Sequence, residues 1–108
     1  MSKYSFPYRV IGADEIAPLP NPGFPVGGRT EEDFRAFLSD CQEWIKAYPA
    51  GGTVWVDGAD LSYVYEDVAQ AVTVHRQANG QYTVATNGRH RMYICRKYGL
   101  SLLVCVMP

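Results

Sequence analysis

Gly80-Gln81-Tyr82-Thr83-Val84-Ala85-Thr86-Asn87-Gly88-Arg89-His90-Arg91-Met92-Tyr93-Ile94-Cys95-Arg96-Lys97-Tyr98-Gly99-Leu100-Ser101-Leu102-Leu103-Val104-Cys105-Val106 is the stretch whose reading decides the fold. Residues 81–85 read as a strand that Asn87-Gly88 ends. Two continuations compete after Gly88: a second hairpin, or a helix over residues 90–98. The helix has more in its favour. Met92, Cys95 and Tyr98, with Ile94, share one helical face. Arg96 and Lys97 fall in the last turn, where cations complement the helix dipole. Gly99 suits the left-handed position that closes a helix, with Leu100 supplying the apolar contact that accompanies it. The continuous apolar run 102–106 then reads as a buried final strand.

Working upstream, residues 71–76 alternate apolar and polar side chains, as a half-buried strand does. Asn79-Gly80 between two such runs predicts a hairpin with a type I′ turn, whose two central residues both need positive φ. The middle, residues 49–70, is the least regular part. Within it Thr53-Val54-Trp55-Val56 reads as an extended segment, and Asp60 as the cap of a brief helix through Leu61, Val64 and Val68. Thr30 predicts a helix N-cap, with Glu31, Glu32 and Asp33 in a first turn that favours acids. Phe34, Phe37, Leu38, Cys41, Trp44 and Ile45 follow at helical spacing, so one helix is expected from Thr30 to a stop before Pro49. Pro18, Pro20, Pro22 and Pro25, with Gly23, Gly27 and Gly28, make residues 18–28 an ordered loop ending at Arg29. Tyr8-Arg9-Val10-Ile11 reads as the first strand. The expectation is one α+β domain over residues 1–108: a small mixed sheet, a C-terminal strand-turn-helix-strand unit, and an atypical middle segment, 49–70.

A chain of 108 residues can bury one core without staples. Cys41, Cys95 and Cys105 are odd in number and match no zinc spacing, so reduced, buried thiols and a cytoplasmic location are expected. Only Cys95 has cations nearby in sequence, which leaves it as the candidate for a reactive thiol. The N-terminus shows no signal-peptide pattern, and the longest apolar run is too short to span a bilayer. Net charge is −1, which argues against a general nucleic-acid binder. The distribution is uneven, however. No Asp or Glu follows Asp67, whereas His75, Arg76, Arg89, His90, Arg91, Arg96 and Lys97 do. Such a one-sign segment favours an anionic partner, unless acids of the N-terminal half fold back onto it.

Asn87-Gly88-Arg89-His90-Arg91 is where those cations crowd closest, at a predicted helix start. The first backbone N–H groups of a helix lack intrahelical acceptors and carry partial positive charge, which together suit an anion such as phosphate. Gly88 permits a sharp turn and close approach of a ligand. Arg89 and Arg91 can form forked bonds to phosphate oxygens, and His90 can donate or shuttle a proton. The competing reading is a plain Asn-Gly turn, with His90 facing the core and both arginines in water.

The run 80–92, with Tyr98-Gly99-Leu100 and the apolar strand after it, resembles the ParB/sulfiredoxin superfamily, which carries a strand, a Gly-containing turn with His-Arg, a helix, a Gly-Leu or Gly-Ile step and a strand. The N-terminal half is similar in order: a short strand, an Asn-Pro loop, an arginine (here Arg29) and an acid-capped helix (here Glu31-Glu32-Asp33-Phe34). What the resemblance implies is a nucleotide, CTP or ATP, with Mg²⁺ as its companion, and NTP hydrolysis or phosphoryl transfer as the reaction. By position, Asn87, Gly88, Arg89, His90 and Arg91 would hold phosphates, Arg29 would approach from the loop, and Glu31, Glu32 and His90 are the catalytic candidates. The more ordinary reading of Glu31 and Glu32 is as surface acids favouring the helix dipole. The chain departs from the family's branches. Arg89 stands where sulfiredoxins carry their cysteine and partition proteins a glutamate, and no helix-turn-helix reader is expected before Pro108. No dedicated metal-ligand pattern is present. Two other functions stay open: binding or cleavage of a nucleic-acid backbone, and a non-catalytic protein-interaction module presenting Trp55, Tyr63 and Tyr65.

Overall fold

The computed structural model describes residues 8–47 and 72–107, so the expectations for residues 49–70 lie outside the described residues. The chain enters as β1 (Tyr8–Ile11) and a single 3-10 turn (Ala13–Glu15), then follows the proline-rich loop to α1 (Glu31–Asp40) and α2 (Gln42–Ala47). After the middle segment come β2 (Val72–Arg76), β3 (Tyr82–Val84), α3 (Arg89–Tyr98) and β4 (Leu102–Val106). The four strands form one mixed sheet in the order β1-β4-β2-β3. β1 runs antiparallel to β4, β4 parallel to β2, and β2 antiparallel to β3. This is the expected small α+β domain with a mixed sheet and a strand-turn-helix-strand C-terminal unit.

β4 is central, and its register explains its composition. Leu102, Leu103, Val104 and Cys105 are all buried, so both faces of the strand are covered and no polar alternation is tolerated. The main core gathers Leu102 and Val104 with Val72 and Val74 of β2, Ile11 of β1, Tyr82 of β3, Leu38 of α1 and Met92, Ile94 and Cys95 of α3. α1 and α3 pack against one another over this core. Cys41, Cys95 and Cys105 are free and buried, and burial pushes the Cys41 and Cys95 thiols up to about 12. That removes Cys95 as a reactive thiol, because the thiolate is the nucleophile.

The helix starts and stops follow the local chemistry. At α1, Thr30 Oγ1 accepts from the Asp33 N–H (3.1 Å) and the Asp33 carboxylate accepts from the Thr30 N–H (2.9 Å), a reciprocal capping box. Gly99 closes α3 in the left-handed region (φ +70°), and the Leu100 N–H donates to the Cys95 carbonyl at 3.0 Å.

Two expectations need correction. The first helix does not run unbroken from Thr30: it breaks at Cys41 into α1 and α2. Gln42 accounts for the break. Its Nε2 donates to the Leu38 carbonyl and to the Ser101 carbonyl, both at 2.9 Å, while its Oε1 accepts from the Ser101 N–H at 2.8 Å. A side chain thus takes the carbonyl that the helix ladder would use, and ties the joint to the start of β4. The apolar stripe survives the break, since Leu38, Cys41 and Ile45 all remain buried. The hairpin at Asn79-Gly80 is also not type I′. Gly80 has φ +87°, but no non-glycine residue has positive φ among the described residues, so Asn79 does not. The Gly80 N–H bonds to the Gln77 carbonyl and the Gln77 N–H to the Gln81 carbonyl, which makes a three-residue loop ending in a left-handed glycine. A true double-glycine turn occurs elsewhere. Val26 and Arg29 exchange two backbone bonds of 2.9 Å around Gly27 (φ +56°) and Gly28 (φ +76°).

Candidate functional site

The turn before α3 is held by Thr73, a residue that sequence reading did not single out. Thr73 is 5% exposed, the one buried polar side chain among the described residues. Its Oγ1 accepts from the N–H groups of Thr86 (3.2 Å) and Asn87 (3.1 Å). Its own N–H donates to the Asn87 carbonyl at 3.0 Å, and its carbonyl accepts from Ala85 at 2.8 Å. The end of β3 is therefore folded onto β2 through one threonine. The signal for it lay in the alternation of residues 71–76, where a threonine between two core valines is a polar group that needs partners if buried.

Gly88 comes next and has two constraints. Its φ is +111°, and a Cβ there would meet both Val72 γ-carbons at 2.8 Å. No side chain caps α3, and no acid lies in its first turn. α1, whose own cap closes the Thr30 and Asp33 N–H groups and whose first turn holds three acids, is the opposite case. The first turn of α3 thus carries cationic side chains and no acid, behind an N-cap glycine that has no side chain to cap it.

Helical geometry separates the three basic residues, since neighbours on an α-helix point about 100° apart. Arg89 is exposed and, with Met92, lines a cleft of about 370 Å³. The other walls are loop residues 17–22 and strand β3. His90 turns towards the loop. Its Nε2 lies 3.1 Å from the Gly23 carbonyl, which can only accept, so Nε2 carries the proton. The ring stacks on Phe34 (centroids 5.9 Å, 19°) and meets Phe24 edge-on (5.3 Å, 83°). Arg91 is half-buried and near Cys95, whose thiol its charge partly favours in the ionised form.

The acids proposed for catalysis sit elsewhere. Glu31 Oε2 accepts from Lys97 Nζ at 2.6 Å and from the Tyr98 hydroxyl at 2.5 Å. These hydrogen bonds hold its carboxyl below the ordinary glutamate range, Lys97 first and Tyr98 second. Its partners belong to the last turn of α3, about 12 Å along the helix from Arg89 at 1.5 Å per residue. Glu32 is exposed and pairs with Arg35 at 3.3 Å, one turn along its own helix. Arg29 leaves the double-glycine turn immediately before the Thr30 cap, and its charge helps to lower Asp33, after the two Thr30 hydrogen bonds. No group of three His, Cys, Asp or Glu side chains gathers among the described residues.

The acid-free third is partly compensated from the other half of the chain. Lys97 pairs with Glu31, and Arg96 Nε donates to the Ile16 carbonyl at 3.1 Å. Arg76, Arg89 and His75 remain exposed. No helix among the described residues is long and apolar enough to cross a membrane. Comparison of the chain with protein-family models, curated proteins and solved structures gave no match.

Proposed function

We propose that the chain binds a nucleotide, its phosphates resting on Arg89 and the first N–H groups of α3 and its remainder lying in the adjoining cleft. One observation carries this reading: Arg89, the exposed first residue of a helix whose first turn holds no acid and whose N-cap is a glycine, lines a cleft of about 370 Å³. A cleft of that size suits a small organic ligand, and its few polar groups beside apolar walls are typical of such sites. The resemblance to the ParB/sulfiredoxin superfamily supports the same ligand class. Binding, rather than turnover, is the part supported best. Glu31 is committed to Lys97 and Tyr98, Glu32 to Arg35, and His90 to Gly23, so none of the three is presented to the cleft as a base. Mg²⁺ would arrive as the counter-ion of the phosphates, largely hydrated, because the described residues offer no carboxylate set to hold it alone.

A continuous basic face for a nucleic-acid backbone has less support, because Lys97 and Arg96 are engaged within the fold. Trp55, Tyr63 and Tyr65, the candidates for a protein contact, lie outside the described residues. Isothermal titration with CTP, ATP and GTP in the presence of Mg²⁺ tests the proposal. Saturable binding of at least one is expected, weakened tenfold or more in Arg89→Ala. No heat and no competition from any of the three would overturn it.

A further inference from the structure

Among the described residues, hydrogen bonds tie the loop wall of the cleft near its two ends, and Leu19 and Phe24 pack against the core. At one end the Ala17 N–H donates to the Tyr82 carbonyl at 3.0 Å, joining the loop to the outer edge of β3. At the other, Gly23 offers its carbonyl to His90 Nε2 at 3.1 Å. Phe24 is seated there between Phe34 (5.5 Å), His90 (5.3 Å) and Tyr93 (6.2 Å). Between these ends Pro18, Pro20 and Pro22 have no N–H to give, and their fixed φ makes the wall stiff. Within it the Asn21 side chain accepts from the Gly23 N–H at 2.9 Å. A stiff segment fastened at its ends moves as a unit when one end is released. The releasable end is built on the residue next to Arg89.

We infer that residues 18–24 are a strap over the cleft and that His90 is its latch, so that entry and exit of a ligand are controlled at the His90–Gly23 bond. His90 thereby acts through the loop rather than on the ligand. The strap itself is independent of what the cleft binds, while its control of entry rests on the nucleotide reading.

The test has one arm without ligand and one with it. Amide exchange of Gly23, the strap residue whose N–H is hydrogen-bonded, is measured by NMR in the wild-type chain, in His90→Phe, which keeps an aromatic ring but no donor, and in His90→Gln, which restores an N–H donor. Exchange of this strap amide should rise tenfold or more in His90→Phe and return to within threefold of wild type in His90→Gln, with the amides of β2 and β4 unchanged. Phe24→Leu, which loosens the seat without touching the histidine, should raise exchange at the same amide. A Gly23 amide that stays at the wild-type rate in both His90→Phe and Phe24→Leu would overturn the inference. In the second arm, stopped-flow binding of the nucleotide identified by titration should show both association and dissociation accelerated in His90→Phe. Unchanged rates beside accelerated strap exchange would overturn the control of entry. Failure of every nucleotide to bind would count against the nucleotide reading, and the exchange rates of the first arm would still decide for or against the strap.

Discussion

Thr73→Val removes one oxygen and keeps nearly the same shape, which makes it the sharpest perturbation of the turn. The substitution takes away the acceptor of two N–H groups, those of Thr86 and Asn87. A buried donor left without an acceptor costs about 1–3 kcal/mol, and a donor that reaches water costs much less. Thr86 is exposed and Asn87 half-buried, so the cost falls mainly on Asn87. The added methyl group returns at most about 0.8 kcal/mol through burial. The net loss is then roughly 0.2–2 kcal/mol, which lowers the melting temperature by roughly 1–10 °C in a domain of this size. Calorimetry or urea unfolding measures the loss, and Thr73→Ser separates its causes because it keeps the acceptor while losing the methyl. Amide exchange supplies the local readout: the Thr86 and Asn87 protons should exchange faster in the valine variant and remain protected in the serine variant. A valine variant as stable as wild type, with both amides still protected, would refute the role given to Thr73.

Other outcomes follow from the same structure. Gly88→Ala should destabilise by at least about 1–3 kcal/mol through its positive φ alone; measured in a Val72→Ala background, its cost should fall by the part due to the 2.8 Å contact and not by the rest, as urea unfolding of the two single variants and the double variant would show. Arg89→Ala, at an exposed position, should change stability by less than about 0.5 kcal/mol while weakening nucleotide binding, and a large loss of stability would mean that the side chain is structural. Glu31 has a carboxyl held below its ordinary value in the folded state, so its contribution is present above the unfolded pKa and lost as pH falls through the folded one. Below about pH 5 the wild type should therefore lose stability more steeply than Glu31→Gln, a gap that salt narrows; parallel pH profiles would mean that the pair contributes nothing to stability. Cys41 and Cys95, with thiols pushed up to about 12 by burial, should react with a thiol reagent only after unfolding, and rapid labelling of the native chain would contradict their packing.

Much of the fold was legible because its signals are local. The Thr30 cap, the Gly99 stop and the all-apolar run 102–106 each state in a few residues what the backbone does there. The break at Cys41 was not legible, since it depends on Gln42 reaching the carbonyl of Ser101 across the core. Asn79-Gly80 misled for a related reason: a glycine in the left-handed region serves a three-residue loop as well as a type I′ turn, and the register of β2 on β3 chooses between them. At the site, the sequence marked the cationic turn but treated Arg89, His90 and Arg91 as a unit. The helix starts at Arg89, one residue earlier than expected, and its rotation sends the three side chains to the cleft, the loop and the interior. The pairing of Glu31 with Lys97 and Tyr98 is a contact between distant segments, which no local pattern announces.

The central claim is that a phosphate-bearing ligand is held where α3 begins. Titration of the ¹⁵N-labelled chain with CTP, ATP or GTP and Mg²⁺, followed by amide chemical shifts, tests it most directly. Saturable shifts should concentrate on Gly88, Arg89, His90 and Arg91 and on the cleft residues Asn21, Thr83 and Val84, and Arg89→Ala should suppress them. Shifts confined to other surfaces, or none at millimolar nucleotide, would contradict it.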